Sequence, residues 1–76
     1  MASANSDATP LYWESTYAIV LRLMETYPDA DIESVGREQL FQWVLALPDF
    51  ADDPALVNNG ILNDILRTWY EEISIL

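Results

Sequence analysis

The stretch NNGILNDILRTWYEE, residues 58–72, decides the fold. Its apolar residues Ile61, Leu62, Ile65, Leu66 and Trp69 recur at spacings of three and four, which places them on one broad face of a helix. Asn58 stands where a side-chain oxygen can accept from the first unpaired backbone N–H groups, so the spacing predicts a helix over about Asn59 to Glu72. Gly60 in its first turn weakens that helix by up to about 1 kcal/mol relative to alanine.

Moving toward the N-terminus, Leu40, Trp43, Val44 and Leu47 follow the same period, and Pro48 supplies a stop, giving a second helix over about Arg37 to Leu47. A first helix runs from about Ser15 to Tyr27. Ser15 or Thr16 is placed to cap it, Pro28 ends it, and Ile19, Leu23 and Tyr27 form its stripe, widened by Val20 and Met24. Tyr17 and Leu21 lie on the flank of that stripe, and periodicity leaves their exposure open. In the connection PDFADDPALVN, Asp53 before Pro54 suits the cap of a short helical turn, with Phe50 as its anchor to the core. Residues 29–36 are too short for another full helix and are expected to hold at most a brief extended piece at Ile32 to Val35. Trp43 and Trp69 lie on apolar stripes and read as core, as does Trp13. The expected fold class is all-α, a compact three-helix domain over residues 12–76 with minimal strand content, preceded by a disordered tail of small polar residues over 1–11.

Inventory then limits the chemistry. A chain of 76 residues buries only about 60% of the surface its unfolded form exposes, so it holds one core. There is no cysteine and no histidine, which removes disulfides, thiolate sites, the commonest general base and the commonest transition-metal ligand; only oxygen donors remain for a metal. Thirteen acidic residues against Arg22, Arg37 and Arg67 give a formal charge of -10, which opposes nucleic acid and anionic membrane as partners. No apolar run approaches the roughly 20 residues of a membrane span, and MASANSDATP has neither region of a signal peptide, so a soluble cytoplasmic protein is expected. Paired carboxylates for glycosidase-like chemistry need a cleft that a three-helix domain this small seldom encloses, so no catalytic residue is assigned and the chain is read as a non-enzyme.

The carboxylates themselves admit two readings. Asp29, Asp31 and Glu33 alternate in a loop, within about seven ångströms of one another, and their oxygens can share a hydrated cation; equally, Asp29 or Asp31 can cap a turn. Asp49 and Asp52 are open to a ligand or partner, whereas Asp53 is placed to cap the Pro54 turn. Glu71 and Glu72 fall near a helix C-terminus, where negative charge is disfavoured by a few tenths of a kcal/mol, so stability does not explain them.

A tryptophan shortly before the first helix, then TYPDAD at 26–31, LFQWV at 40–44, LPDFADDP at 47–54 and NNGILNDILRTWYEE at 58–72 together resemble the IscX (YfhJ) family over Trp13 to Glu72. The resemblance implies a modified winged-helix type of fold and a protein that regulates iron-sulfur cluster assembly. In that role it binds a cysteine desulfurase at a basic surface patch, in competition with a frataxin-like protein, and binds ferrous iron weakly through surface carboxylates. The resemblance places Asp29, Asp31, Asp52 and Asp53 at the family's acidic positions and Glu71 and Glu72 at its acidic end; with Glu33 and Asp49 from the loop reading above, the metal candidates are Asp29, Asp31, Glu33, Asp49, Asp52 and Asp53. The partner-binding candidates are Glu14, Asp29, Asp31, Asp52, Asp53, Glu71 and Glu72. The chain departs from the family pattern at Thr16 to Ala18, at Phe41, which occupies a histidine position, and at Asn59-Gly60. A monomeric adaptor is expected. The alternative is an acidic mimic that blocks a basic partner without iron.

Overall fold

The computed structural model describes residues 10–75. Three helices, α1 (Thr16–Thr26), α2 (Arg37–Leu45) and α3 (Asn59–Ser74), enclose one core, with single 3-10 turns at Ile32–Ser34 and Pro54–Leu56. Among the described residues no strand forms, and the only β-type pairing is an isolated parallel bridge between Leu11 and Phe50. The all-α, three-helix expectation therefore holds, while no β-hairpin is present among these residues to act as a wing. No helix among them is long and apolar enough to cross a membrane.

The core is set by the predicted stripes. Ile19, Val20 and Leu23 of α1, Leu40 and Val44 of α2, and Ile65 of α3 are fully buried, and Trp69 is 2% exposed. Each such side chain contributes about 1.5–3 kcal/mol by leaving water. Trp43 is only half-buried. It bridges two layers, stacking on Tyr27 of the α1 end at 4.1 Å and tilting against Trp69 at 6.1 Å. Tyr17 and Leu21, left open by periodicity, are exposed.

The helix ends differ in detail from the sequence reading. Ser15 makes no side-chain cap; its N–H donates to the Tyr12 carbonyl and its carbonyl accepts from Ile19, so the turn before α1 is held by backbone alone. Helix α2 stops two residues early, at Leu45, because the Ala46 N–H is shared between the Gln42 and Trp43 carbonyls and the chain tightens, yet Leu47 still reaches the core at 5% exposure. The expected extended piece at Ile32 to Val35 is instead a 3-10 turn, which Asp31 caps while Ile32 is driven inward. Helix α3 runs two residues further than expected.

The start of α3 is capped as predicted, with the Ile61 N–H donating to Asn58 Oδ1 at 2.9 Å. A Cβ at Gly60 would stand 3.2 Å from that same oxygen, so the glycine leaves room for the cap. Asn58→Ala is expected to lower the unfolding free energy by about 1 kcal/mol in urea denaturation. An unchanged midpoint would show that the cap contributes nothing to α3.

The expected tail boundary also moves. Leu11 is 3% exposed, and its N–H donates to the Asp49 carbonyl at 2.9 Å while its own carbonyl accepts from Ala51 at 2.9 Å. Leu11, placed in the expected tail, thus belongs to the packed domain; residues 1–9 of that tail lie outside the described residues.

Candidate protein-docking surface

The acidic loop at 49–53 is built into the fold. Asp52 accepts the Trp13 N–H through Oδ2 at 2.9 Å and the Asp53 N–H through Oδ1 at 2.7 Å. Asp53 caps the Pro54 turn by accepting from Ala55 at 2.9 Å, and its carbonyl receives the Trp13 indole N–H at 2.8 Å. Asp49 pairs with Arg22, both side chains half-buried. These contacts fasten the segment at 11–13 to the loop and hold the Trp13 ring against Phe50, edge-on at 4.7 Å, and Phe41, stacked at 6.2 Å. A carboxylate whose oxygens already accept backbone N–H groups has little left for an outside cation.

The loop at 29–33 divides. Asp31 caps its 3-10 turn, accepting from the Glu33 N–H at 3.3 Å and the Ser34 hydroxyl at 3.0 Å. Asp29 and Glu33 are exposed, and neither carboxylate has a partner among the described residues. The six carboxylates read as metal candidates, Asp29, Asp31, Glu33, Asp49, Asp52 and Asp53, are thus not brought together. Asp31, Asp49, Asp52 and Asp53 are engaged within the chain, and no group of three or more acidic side chains able to hold a metal ion forms among the described residues. This donor set does not fit a built iron site.

The partner-binding candidates divide the same way. Asp31, Asp52 and Asp53 are structural, whereas the side chains of Glu14, Asp29, Glu71 and Glu72 make no bond to another described residue. Two further carboxylates of this kind, Glu25 on α1 and Glu38 in the first turn of α2, were not singled out in the sequence. Glu25 was legible there: it follows Leu21 by four residues and Tyr17 by eight, so one outward face of α1 carries Tyr17, Leu21 and Glu25, with exposed Glu14 in the turn before the helix. Tyr17 is 55% and Leu21 39% exposed.

Each positive charge has a partner within the chain, although Arg37 and Arg67 stand on the surface. Arg22 pairs with Asp49, Arg67 with Asp64 at 3.0 Å, and Arg37 donates to Asn63 Oδ1 at 3.4 Å. The outward surface is therefore mostly carboxylate, with Arg37 and the exposed Arg67–Asp64 pair as its cations. Chemically such a surface can attract a cationic protein face, and its exposed aromatic and aliphatic groups can add register to that attraction.

A family model described as iron-sulphur cluster assembly matches residues 11–74. Among curated proteins, the chain is 36% identical over 62 residues to an uncharacterized protein of Pseudomonas aeruginosa, a match that covers 82% of this chain and 94% of that one. The matched span includes Leu11, which is buried in the core.

Proposed function

We propose, from the premise that this chain belongs to the iron-sulphur cluster assembly family, the IscX (YfhJ) family its sequence resembles, that it acts there as an acidic adaptor docking on the basic face of a cysteine desulfurase. The observation that carries the proposal is the partition of charge. Glu14, Glu25, Asp29, Glu33, Glu38 and Glu71 are exposed and Glu72 half-buried, their side chains without partners among the described residues, while Arg22 and Arg67 pair with carboxylates of the chain and only Arg37, bonded to a neutral amide, keeps a charge that no carboxylate offsets. With a formal charge of -10, the field of the whole molecule steers it toward positive surfaces and away from phosphate backbones.

In this account the protein works in the cytoplasm as a monomer and regulates cluster assembly by occupancy: while it covers the basic patch, a frataxin-like protein that needs the same patch is excluded. No catalytic step is assigned to it. Iron has no fixed ligand set in this reading; ferrous ions gather loosely around exposed carboxylates such as Asp29 and Glu33, with the low affinity and poor selectivity of open oxygen donors. The acidic-mimic reading shares the same surface but needs a different basic partner, so identifying the captured protein separates the two.

The test is titration of the chain with purified cysteine desulfurase at rising ionic strength. The Debye length falls from about 10 Å at 0.1 M to about 3 Å at 1 M salt, so the association rate should drop steeply over that range. Binding that is absent, or that ignores salt, contradicts the proposal.

A further inference from the structure

We propose that the shallow pocket between the C-terminal ends of α1 and α3 receives an arginine side chain of the basic protein partner, an inference that rests on the docking function argued above. The pocket is about 330 Å³ and is lined by Met24, Tyr27, Pro28, Ala30, Trp69 and Ile73. That volume lies at the low end of the roughly 300–1,000 Å³ typical of small-molecule sites, and it suits one long side chain. Its walls are apolar. Its surroundings are negative from two independent sources.

The first source is side chains. Asp29 stands between the lining residues Pro28 and Ala30 and is exposed, and Glu72 precedes Ile73 and lies three residues beyond Trp69, half-buried. Neither carboxylate has a partner among the described residues. The second source is backbone. Helices α1 and α3 both end here, and neither carries a basic residue in its last turn, so no cation of their own offsets the negative ends of their dipoles, although the Thr26 and Ser74 hydroxyls and the Tyr27 N–H donate to the Arg22, Tyr70 and Leu23 carbonyls. The nearest arginine along α3, Arg67, is turned to Asp64 instead.

A mainly apolar socket whose lining residues have Asp29 and Glu72 as chain neighbours is complementary to a side chain that has an aliphatic stem and a cationic head. Arginine matches better than lysine because its planar, weakly hydrated guanidinium packs on an aromatic ring: half-buried Tyr27, whose other face stacks on Trp43, lines the pocket, while Trp69, 2% exposed, only floors it. Docking there would also explain why acidic residues persist at a helix end that disfavours them: the partner's cation supplies the charge that α3 lacks.

The inference is tested on the full chain in two arms. In the first, N-acetyl-arginine amide is titrated into the isotope-labelled protein and followed by NMR. Shifts concentrated at Met24, Tyr27, Ala30, Ile73 and the Trp69 indole support the pocket, and shifts spread evenly over the acidic surface overturn it. In the second, Ile73→Trp fills the socket without changing charge, and D29N with E72Q removes the neighbouring charges. Each is expected to weaken desulfurase binding about tenfold, whereas E38Q with D64N, which removes equal charge elsewhere, is expected to do so by about twofold or less. Equal losses from both charge-neutral pairs, together with an Ile73→Trp variant that binds as the parent does, overturn the pocket while leaving the docking function standing. Absence of any desulfurase binding by the parent overturns the docking function itself, and the first arm still decides the pocket.

Discussion

Replacing Trp69 with alanine is expected to lower the unfolding free energy by about 3–5 kcal/mol, the usual cost of truncating a buried tryptophan. The side chain is 2% exposed, its ring lies 6.1 Å from that of Trp43, and it sits on the stripe of α3 that includes Leu62 and Ile65. Few neighbours can refill the space, because Ile19, Leu23, Leu40, Val44 and Ile65 are themselves at zero exposure and already packed. A domain of this length has a total stability of about 4–11 kcal/mol at 0.05–0.15 kcal/mol per residue, so the variant should be marginal or unfolded at room temperature. Urea denaturation followed by far-ultraviolet circular dichroism measures this, since the helical signal does not depend on the deleted indole. Trp69→Phe should recover a large part of the loss by keeping an aromatic plug. A loss below about 1 kcal/mol for the alanine variant would mean that Trp69 does not close the core.

Trp69 was legible because helical periodicity reports burial directly, and the same holds for Leu23, Leu40, Val44 and Ile65. The proline and asparagine signals around the three helices were equally local: Pro28 acts on the residue before it, and Asn58 acts three residues ahead. What the sequence could not reveal was long-range. Asp52 looks like a free loop carboxylate until Trp13, 39 residues earlier, is seen donating to it, and Leu11 looks like the end of a tail until it pairs with Phe50. Asp49 is likewise explained by Arg22, from a helix 27 residues away. Spacing rules describe neighbours within a turn or two, so they recover a cap such as Asp53 and miss a latch such as Asp52.

That distinction changes the meaning of the acidic composition. Two of the most conspicuous acidic runs, TYPDAD and LPDFADDP, invite a metal reading because their carboxylates are adjacent in sequence. In the folded chain most of those carboxylates turn toward backbone N–H groups or an arginine, and adjacency becomes a device for pinning turns. The outward charge that remains comes from less conspicuous places: the outer face of α1, the first turn of α2, the loop positions Asp29 and Glu33, and the end of α3. Family membership places the chain in iron-sulphur cluster assembly, and the charge partition directs attention to a protein surface as its counterpart.

The measurement that bears most directly on this account compares two neutralised variants in one calorimetric titration with cysteine desulfurase. The first removes outward charge, with Glu14, Asp29, Glu33, Glu71 and Glu72 changed to their amides. The second removes built-in charge, with D52N and D53N. The account predicts that the first keeps the parent's thermal stability and loses affinity by at least about tenfold, a change of 1.4 kcal/mol or more. It predicts that the second loses about 1–3 kcal/mol of stability through the Trp13 and Ala55 N–H groups, yet binds within about threefold of the parent when folded. The reverse pattern, with D52N and D53N abolishing binding in a folded protein and the outward variant binding like the parent, would contradict it.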